Sequence, residues 1–243
     1  MRSLSKILAT GLLAGGIAFG VGACGGDKPP GPLEKHFDDM YIASVPLEQK
    51  QSVVQSQNDW SLAKMQNAKA EADLNEAETQ LSIVRNDQKA AQLGVDSANQ
   101  QKKAADASAD SARINQAAKE LHSAQALAKA ADQRVHYFEA YRNYLKSVLR
   151  HAQENMYWRE AQYELAKAQI GQKNGIAPKG VSYDAFGEQE HARGKRESSS
   201  KDQVNDDKHR AEDARDDWRK AQENADRENG HPTNLPDPMA SKS

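Results

Sequence analysis

The sequence contains few of the large apolar side chains that form a compact hydrophobic core. Leucine, isoleucine, valine and phenylalanine together account for 37 of its 243 residues, whereas alanine alone accounts for 38. Alanine favours helix strongly but buries little surface area. This composition excludes a large globular core and, with it, most enzyme folds. We therefore expect a protein without catalytic activity.

Cysteine and positive charge are also scarce. Cys24 is the only cysteine, so the chain cannot form an internal disulfide bond. The formal net charge of −2 argues against nucleic acid as a partner. The seven histidines include no pair at the i, i+3 or i+4 spacing that would place two metal ligands on one helix face. We expect no catalytic residue, metal, cofactor or small-molecule substrate.

The first 23 residues are typical of a secretory signal peptide. Arg2 and Lys6 precede an apolar run from Ile7 to Val21, which ends in small residues. The run is too short for a membrane-spanning helix, which needs about 20 apolar residues. We predict that residues 1–23 are removed on export.

The end of this segment, Val21-Gly22-Ala23-Cys24, resembles the lipobox of bacterial lipoproteins. That resemblance implies that Cys24 is acylated, for instance with palmitate, and becomes the N-terminus of a mature protein held in a lipid bilayer. Gly25 follows the cysteine, in place of the aspartate that retains such lipoproteins in the inner membrane. The resemblance therefore implies an outer-membrane anchor that faces the periplasm.

Glycine and proline separate a tether from a long helical region. Residues 24–46 are rich in both and predict a lipidated N-terminus followed by a flexible tether. From there to Pro178 the chain has no proline, and Gly94 is the only glycine within residues 47–170. So long a stretch without helix breakers predicts long helices across residues 47–170.

Two heptad patterns run through this helical region. One extends from Val53 to Ala98 and the other from Ile114 to Ile170, and most positions in each are apolar. A repeat of 3.5 residues predicts a left-handed coiled coil. Because the two patterns are out of phase, we predict a helical hairpin. Gly94 can end a helix and Asp96 or Ser97 can cap the next one, which places the turn near residues 94–96. A single long helix that tolerates the glycine there is the alternative.

The last third of the chain is polar. Residues 171–203 are rich in glycine, serine and charge and predict a loop or linker. Residues 204–229 predict a charged helix whose thin apolar stripe would let it cover residues 143–170. Residues 230–243 contain three prolines and predict a disordered tail. The expected fold is all-α: an extended coiled-coil hairpin, an additional charged C-terminal helix and disordered termini.

One segment of the second heptad pattern is rich in aromatic residues. Its candidate site residues are Tyr137, Phe138, Tyr141, Tyr157 and Trp158. They either pack in the core at the base of the hairpin or form a surface that binds a protein partner, since tyrosine and tryptophan are common interface anchors. Both interpretations are open from the sequence.

These features predict a non-enzymatic lipoprotein of the bacterial envelope. In general outline the mature part resembles envelope coiled-coil proteins, which implies a helical spacer or scaffold, or a periplasmic protein that binds a partner or itself through its coiled coil. The alternative is an accessory component of an efflux or secretion conduit that engages a channel through its hairpin. The hairpins of efflux adaptors are similar in outline but carry flanking β-domains, and no strand-rich segment is visible here.

Overall fold

The computed structural model describes residues 29–240, which contain three long helices and no strand. Helix α1 spans Gln51–Ala107, α2 spans Ser111–Lys173 and α3 spans Asp184–Asn229. Two short 3-10 turns, Asp39–Ile42 and Leu47–Gln49, precede them. The predicted all-α hairpin with an additional charged C-terminal helix is confirmed. Cys24 and the predicted signal peptide lie outside the described residues.

The heptad pattern predicted from Val53 onward is the buried face of α1. Nine residues of α1 are buried, and eight of them belong to that pattern. The ninth, Ala105, lies seven residues after Ala98 and continues the same line. The nine are Val53, Ala63, Ala70, Ala77, Leu81, Val84, Val95, Ala98 and Ala105. One narrow apolar seam is therefore enough to hold this helix against its neighbour.

The predicted turn near residues 94–96 is wrong, because α1 continues through Gly94 to Ala107. The chain reverses at residues 108–110, where Ala109 has a φ of 55°. Asp110 then caps α2, since its carboxylate accepts the backbone N–H groups of Ala112 and Arg113 at 2.9 and 3.3 Å. Continued pairing of the alanine seam beyond Gly94 outweighs the helix-breaking tendency of one glycine.

Helix α2 is the middle helix of the structure. Helices α1 and α3 both pack against it, and α3 covers it from Ser123 to its end near the base. It carries 20 buried residues, against nine in α1 and five in α3. The later turn also changes the register of the hairpin. A reversal near residue 95 would place Leu81 beside Ser108, whereas Leu81 shares a core cluster with Tyr141.

Helix α3 runs antiparallel to α2 and begins well before the predicted residue 204. Near its start, Glu190 accepts a hydrogen bond from the Trp158 indole at 2.7 Å, and near its end Glu228 lies 3.0 Å from His122. Residues 184–203 are thus helix and not part of a linker; only residues 174–183 form the loop. Packing overrides the weak helix propensity of this glycine- and serine-rich segment.

The C-terminal segment is ordered in its described part, residues 230–240, which corrects the predicted disordered tail. Gly230 ends α3 with a φ of 76° and donates its N–H to the Asp226 carbonyl. Beyond it, Leu235 and Met239 pack against the central core cluster. Burial of these two side chains holds the segment back against the helices.

Two substitutions test where the chain reverses. Gly94→Ala is expected to raise the free energy of unfolding by about 1 kcal/mol, because glycine is unfavourable inside a helix and nothing lies within 4 Å of the added Cβ. Ala109→Gly is expected to raise it by about 0.5–1 kcal/mol, because glycine adopts a positive φ without steric penalty. Urea unfolding followed by circular dichroism measures both. A loss of stability in Gly94→Ala would place the turn at residue 94 after all.

Candidate interaction site at the base of the helices

The N-terminal strap, residues 31–46, packs across the base of the helices, where α2 ends and α3 begins. Its buried side chains are Leu33, Phe37, Ile42 and Val45. The last three share a core cluster with residues of all three helices, including Val53, Tyr163 and Phe186. In its described part, the predicted flexible tether of residues 24–46 is therefore a docked segment.

Phe37 is the most deeply buried residue of the strap, at 1% exposure. Its ring makes edge contacts with Tyr41 and Phe186, at centroid distances of 5.5 and 5.9 Å. It also lies directly on Gly171 near the end of α2, where an added Cβ would come within 2.7 Å of the Phe37 Cζ atom. Glycine at position 171 is what allows the ring to reach the helix backbone.

Two side chains of α3 bind the backbone of the strap. The Gln189 amide accepts the N–H groups of Glu34 and Lys35 and donates to the Lys35 carbonyl, at 2.9 to 3.1 Å. The Arg193 guanidinium donates to the carbonyls of Gly31 and Pro32 at 2.8 and 3.0 Å. These backbone N–H and C=O groups of the strap thus form hydrogen bonds with side chains of α3 rather than with water.

A buried ion pair on α2 fixes the centre of the strap. Glu164 accepts the Phe37 N–H at 2.6 Å, and the Lys167 ammonium lies 3.0 Å from Glu164 and 2.9 Å from Asp39. Burial alone lowers the pKa of Lys167, but its hydrogen bonds to Asp39 and Glu164 outweigh burial and raise the net pKa above the usual lysine value. These three charged side chains hold the centre of the strap against α2.

Three of the predicted partner-binding residues, Tyr137, Phe138 and Tyr141, are core residues instead. Their exposures are 0%, 2% and 3%, so none of them presents a surface to a partner. The Tyr137 ring stacks on Trp218 of α3 with centroids 5.4 Å apart. Of the two interpretations that the sequence left open, core packing is correct for these three.

The Tyr137 hydroxyl is also the point where the C-terminal segment is held. It donates to Asp237 at 2.6 Å, and Arg219 of α3 donates to the same carboxylate at 2.6 Å. Burial, aided by the bond to Asp237, raises the pKa of the Tyr137 phenol. Burial tends to raise the pKa of Asp237, but these two bonds and the Met239 N–H lower it below its usual value. The tyrosine stays neutral and the aspartate stays charged.

Tyr157 and Trp158, the other two candidates, are half-buried beneath the start of α3. Trp158 packs against Gly194, where an added Cβ would lie 3.1 Å from its indole nitrogen. The Arg193 guanidinium lies 5.3 Å from the centre of the Tyr157 ring. Both aromatic residues therefore help to seat α3 and the strap at the base of the molecule.

Among residues 29–240, no group of histidine, cysteine, aspartate and glutamate side chains is arranged to hold a metal ion. No helix in this part of the chain is long and apolar enough to cross a membrane. Comparison of the chain with protein-family models, curated proteins and solved structures gives no match.

The residues that build the base were mostly missed from the sequence. Phe37 and Ile42 lie in the segment that was predicted as a flexible tether from its glycines and prolines, and the site on the helices that receives them was not predicted. Gly171 was assigned to the start of a loop, although it belongs to α2. The apolar residues at 33, 37, 42 and 45 are the one signal that indicates a docked strap, because a solvated tether has no need of them.

Gly171→Ala tests the docking of the strap. We expect it to lower the free energy of unfolding by about 1–3 kcal/mol, since the added methyl group overlaps a fully buried ring. Gly187→Ala is the matched control, because that glycine is also helical and has open space around it. Urea unfolding measures both.

A double-mutant cycle tests whether the loss of stability in Gly171→Ala comes from contact with the Phe37 ring. In a Phe37→Ala background the extra methyl group at position 171 should have little effect, because the side chain that it meets is gone. Equal effects of Gly171→Ala and Gly187→Ala in the otherwise unaltered protein would show that Phe37 is not docked there.

Proposed function

We propose that this protein is a non-enzymatic, membrane-anchored lipoprotein of the bacterial envelope, whose helices act as a spacer or scaffold. In this proposal the acyl chains on Cys24 anchor it in the outer membrane, and its body extends into the periplasm. There it binds a protein partner or a second copy of itself through its helical surface. The lipobox-like sequence supports the anchor, and the geometry of the helices supports the spacer.

The docked strap is the observation that carries the proposal. The first strap residue held by the body is Gly31, whose carbonyl accepts a hydrogen bond from Arg193. Gly31 is only seven positions after Cys24 in the sequence. Seven residues span at most about 25 Å. An acylated Cys24 would therefore hold the base of the helices close to the bilayer surface.

The hairpin tip is then the part farthest from the anchor. Helix α2 has 63 residues, and a helix of that length extends about 95 Å. Helix α3 ends at Asn229, which lies beside Ser123, so the tip beyond that level consists of α1 and α2 alone. This uncovered tip favours the second candidate function, in which the hairpin engages a channel of an efflux or secretion conduit.

Fluorescence in vesicles tests the anchor and the orientation together. Single cysteines are introduced at Gly187, at the base, and at Lys103, near the tip; once Cys24 is acylated, each is the only free thiol. The two sites lie roughly 65 Å apart along α2. With an energy acceptor in the lipid headgroups, we expect strong quenching of a dye at position 187 and weak quenching at position 103.

The control for this experiment is Cys24→Ala in each labelled protein. Without the acylated cysteine the protein should lose metabolic fatty-acid labelling, stay off the vesicles and show no quenching at either position. Acylation followed by equal quenching at both positions would contradict the spacer. Unchanged vesicle binding by Cys24→Ala would contradict the anchor.

A further inference from the structure

A groove with small, apolar walls lies midway along the molecule. Its volume is about 530 Å³, within the range of about 300–1,000 Å³ that is usual for small-molecule sites. Helices α1 and α2 form two of its sides, and Gln222 of α3 together with Thr233 and Leu235 of the C-terminal segment forms the third. The walls on α1 and α2 are formed mainly by Ala90, Ala91, Gly94, Ala124, Leu127 and Ala131.

Gly94 keeps one end of this groove open. It lies within a continuous helix, where glycine is less favourable than alanine. Neither a turn nor a close neighbour requires it, since nothing lies within 4 Å of an added Cβ. A larger side chain at position 94 would enter the groove.

A buried cation lies at the other end. Arg134 is only 8% exposed, and its Nη1 group donates to Asp87 at 3.1 Å. Its Nε–H group is buried and has no hydrogen-bond partner in the described part of the chain. The side chain of Asp87, in contrast to that of Arg134, is 54% exposed. Among the residues that line the groove, Arg134 is the only positively charged one, so its guanidinium places a cation at the end of an apolar channel.

The length of the groove matches one acyl chain. Its walls on α2 extend from Ala124 to Arg134, and ten helical residues span about 15 Å. That is half of the hydrocarbon thickness of a bilayer, which is about 30 Å for two opposed acyl chains. The alanine and glycine walls provide an apolar surface along this distance without side chains that would block it.

We propose that this groove binds a free single-chain fatty acid, with the carboxylate at Arg134 and the alkyl chain lying along the alanine walls toward Gly94. Arg134 is the cation of the groove, and Asp87, which also lines it, is half-exposed. The ligand carboxylate would replace Asp87 at the guanidinium while Asp87 turns into solvent, and this exchange selects the acid. Burial of the alkyl chain supplies the affinity. The inference depends on the groove alone and not on the membrane anchor.

Calorimetry with decanoate and 1-decanol tests the proposal on the full chain carrying Cys24→Ala, which is not acylated and needs no detergent. We expect one decanoate to bind per chain, and 1-decanol to bind about tenfold more weakly because it lacks the charge. An absence of decanoate binding, or equal affinities for the two compounds, would overturn the proposal.

Three substitutions locate the binding. Gly94→Leu should fill the groove and weaken decanoate binding at least about tenfold, while Gly187→Leu, at a helical glycine outside the groove, should leave it unchanged. Asp87→Asn should strengthen decanoate binding and leave 1-decanol unaffected, because it removes the carboxylate that competes for Arg134. Thermal unfolding of each variant checks that the fold is retained. Unchanged affinity in Gly94→Leu, or weaker decanoate binding in Asp87→Asn, would refute the assignment.

Discussion

The structure depends on the burial of α2 from two sides. Neither α1 nor α3 has enough large apolar residues to form a stable helix alone, and each packs along α2. The tyrosines of α2 are shared between both contacts, since Tyr137 stacks on Trp218 while its core cluster also includes Leu81 of α1. A chain with so few large apolar residues can remain ordered because they are concentrated on this middle helix. The strap and the C-terminal segment then dock on the same helix.

The helical hairpin was predictable because its pattern is local. Each buried position of α1 follows from one heptad line, and the turn lies between the end of one register at Ala98 and the start of the next at Ile114. The turn was predicted at the wrong position because Gly94 was taken as the end of the helix, although the heptad pattern continues past it. The early start of α3 was not predictable in the same way. Its glycines and serines disfavour helix, and only contacts such as that between Gly194 and Trp158 compensate.

The candidate site was harder to predict because its contacts are distant in sequence. Phe37 and Gly171 meet only in the folded chain, and no periodic pattern links them. Tyr137 and Tyr141 lie off the predicted seam of α2, so an exposed role was open to them; the missing information was that α2 has a second buried face. The groove beside Gly94 likewise requires three segments to come together. Sequence reasoning treats one helix and one seam at a time, whereas these features arise from the packing of several elements.

Hydrogen exchange measured along α2 tests its double-sided burial most directly. Helix α3 ends at Asn229 beside Ser123, so residues 111–121 of α2 lie beyond it, whereas from Ser123 onward α2 packs against both α1 and α3. If α2 is the middle helix, amides of residues 123–170 should exchange far more slowly than those of residues 111–121, and more slowly than those of α3. Exchange of residues 123–170 as fast as that of residues 111–121 would contradict the account, because it would mean that α3 does not protect α2.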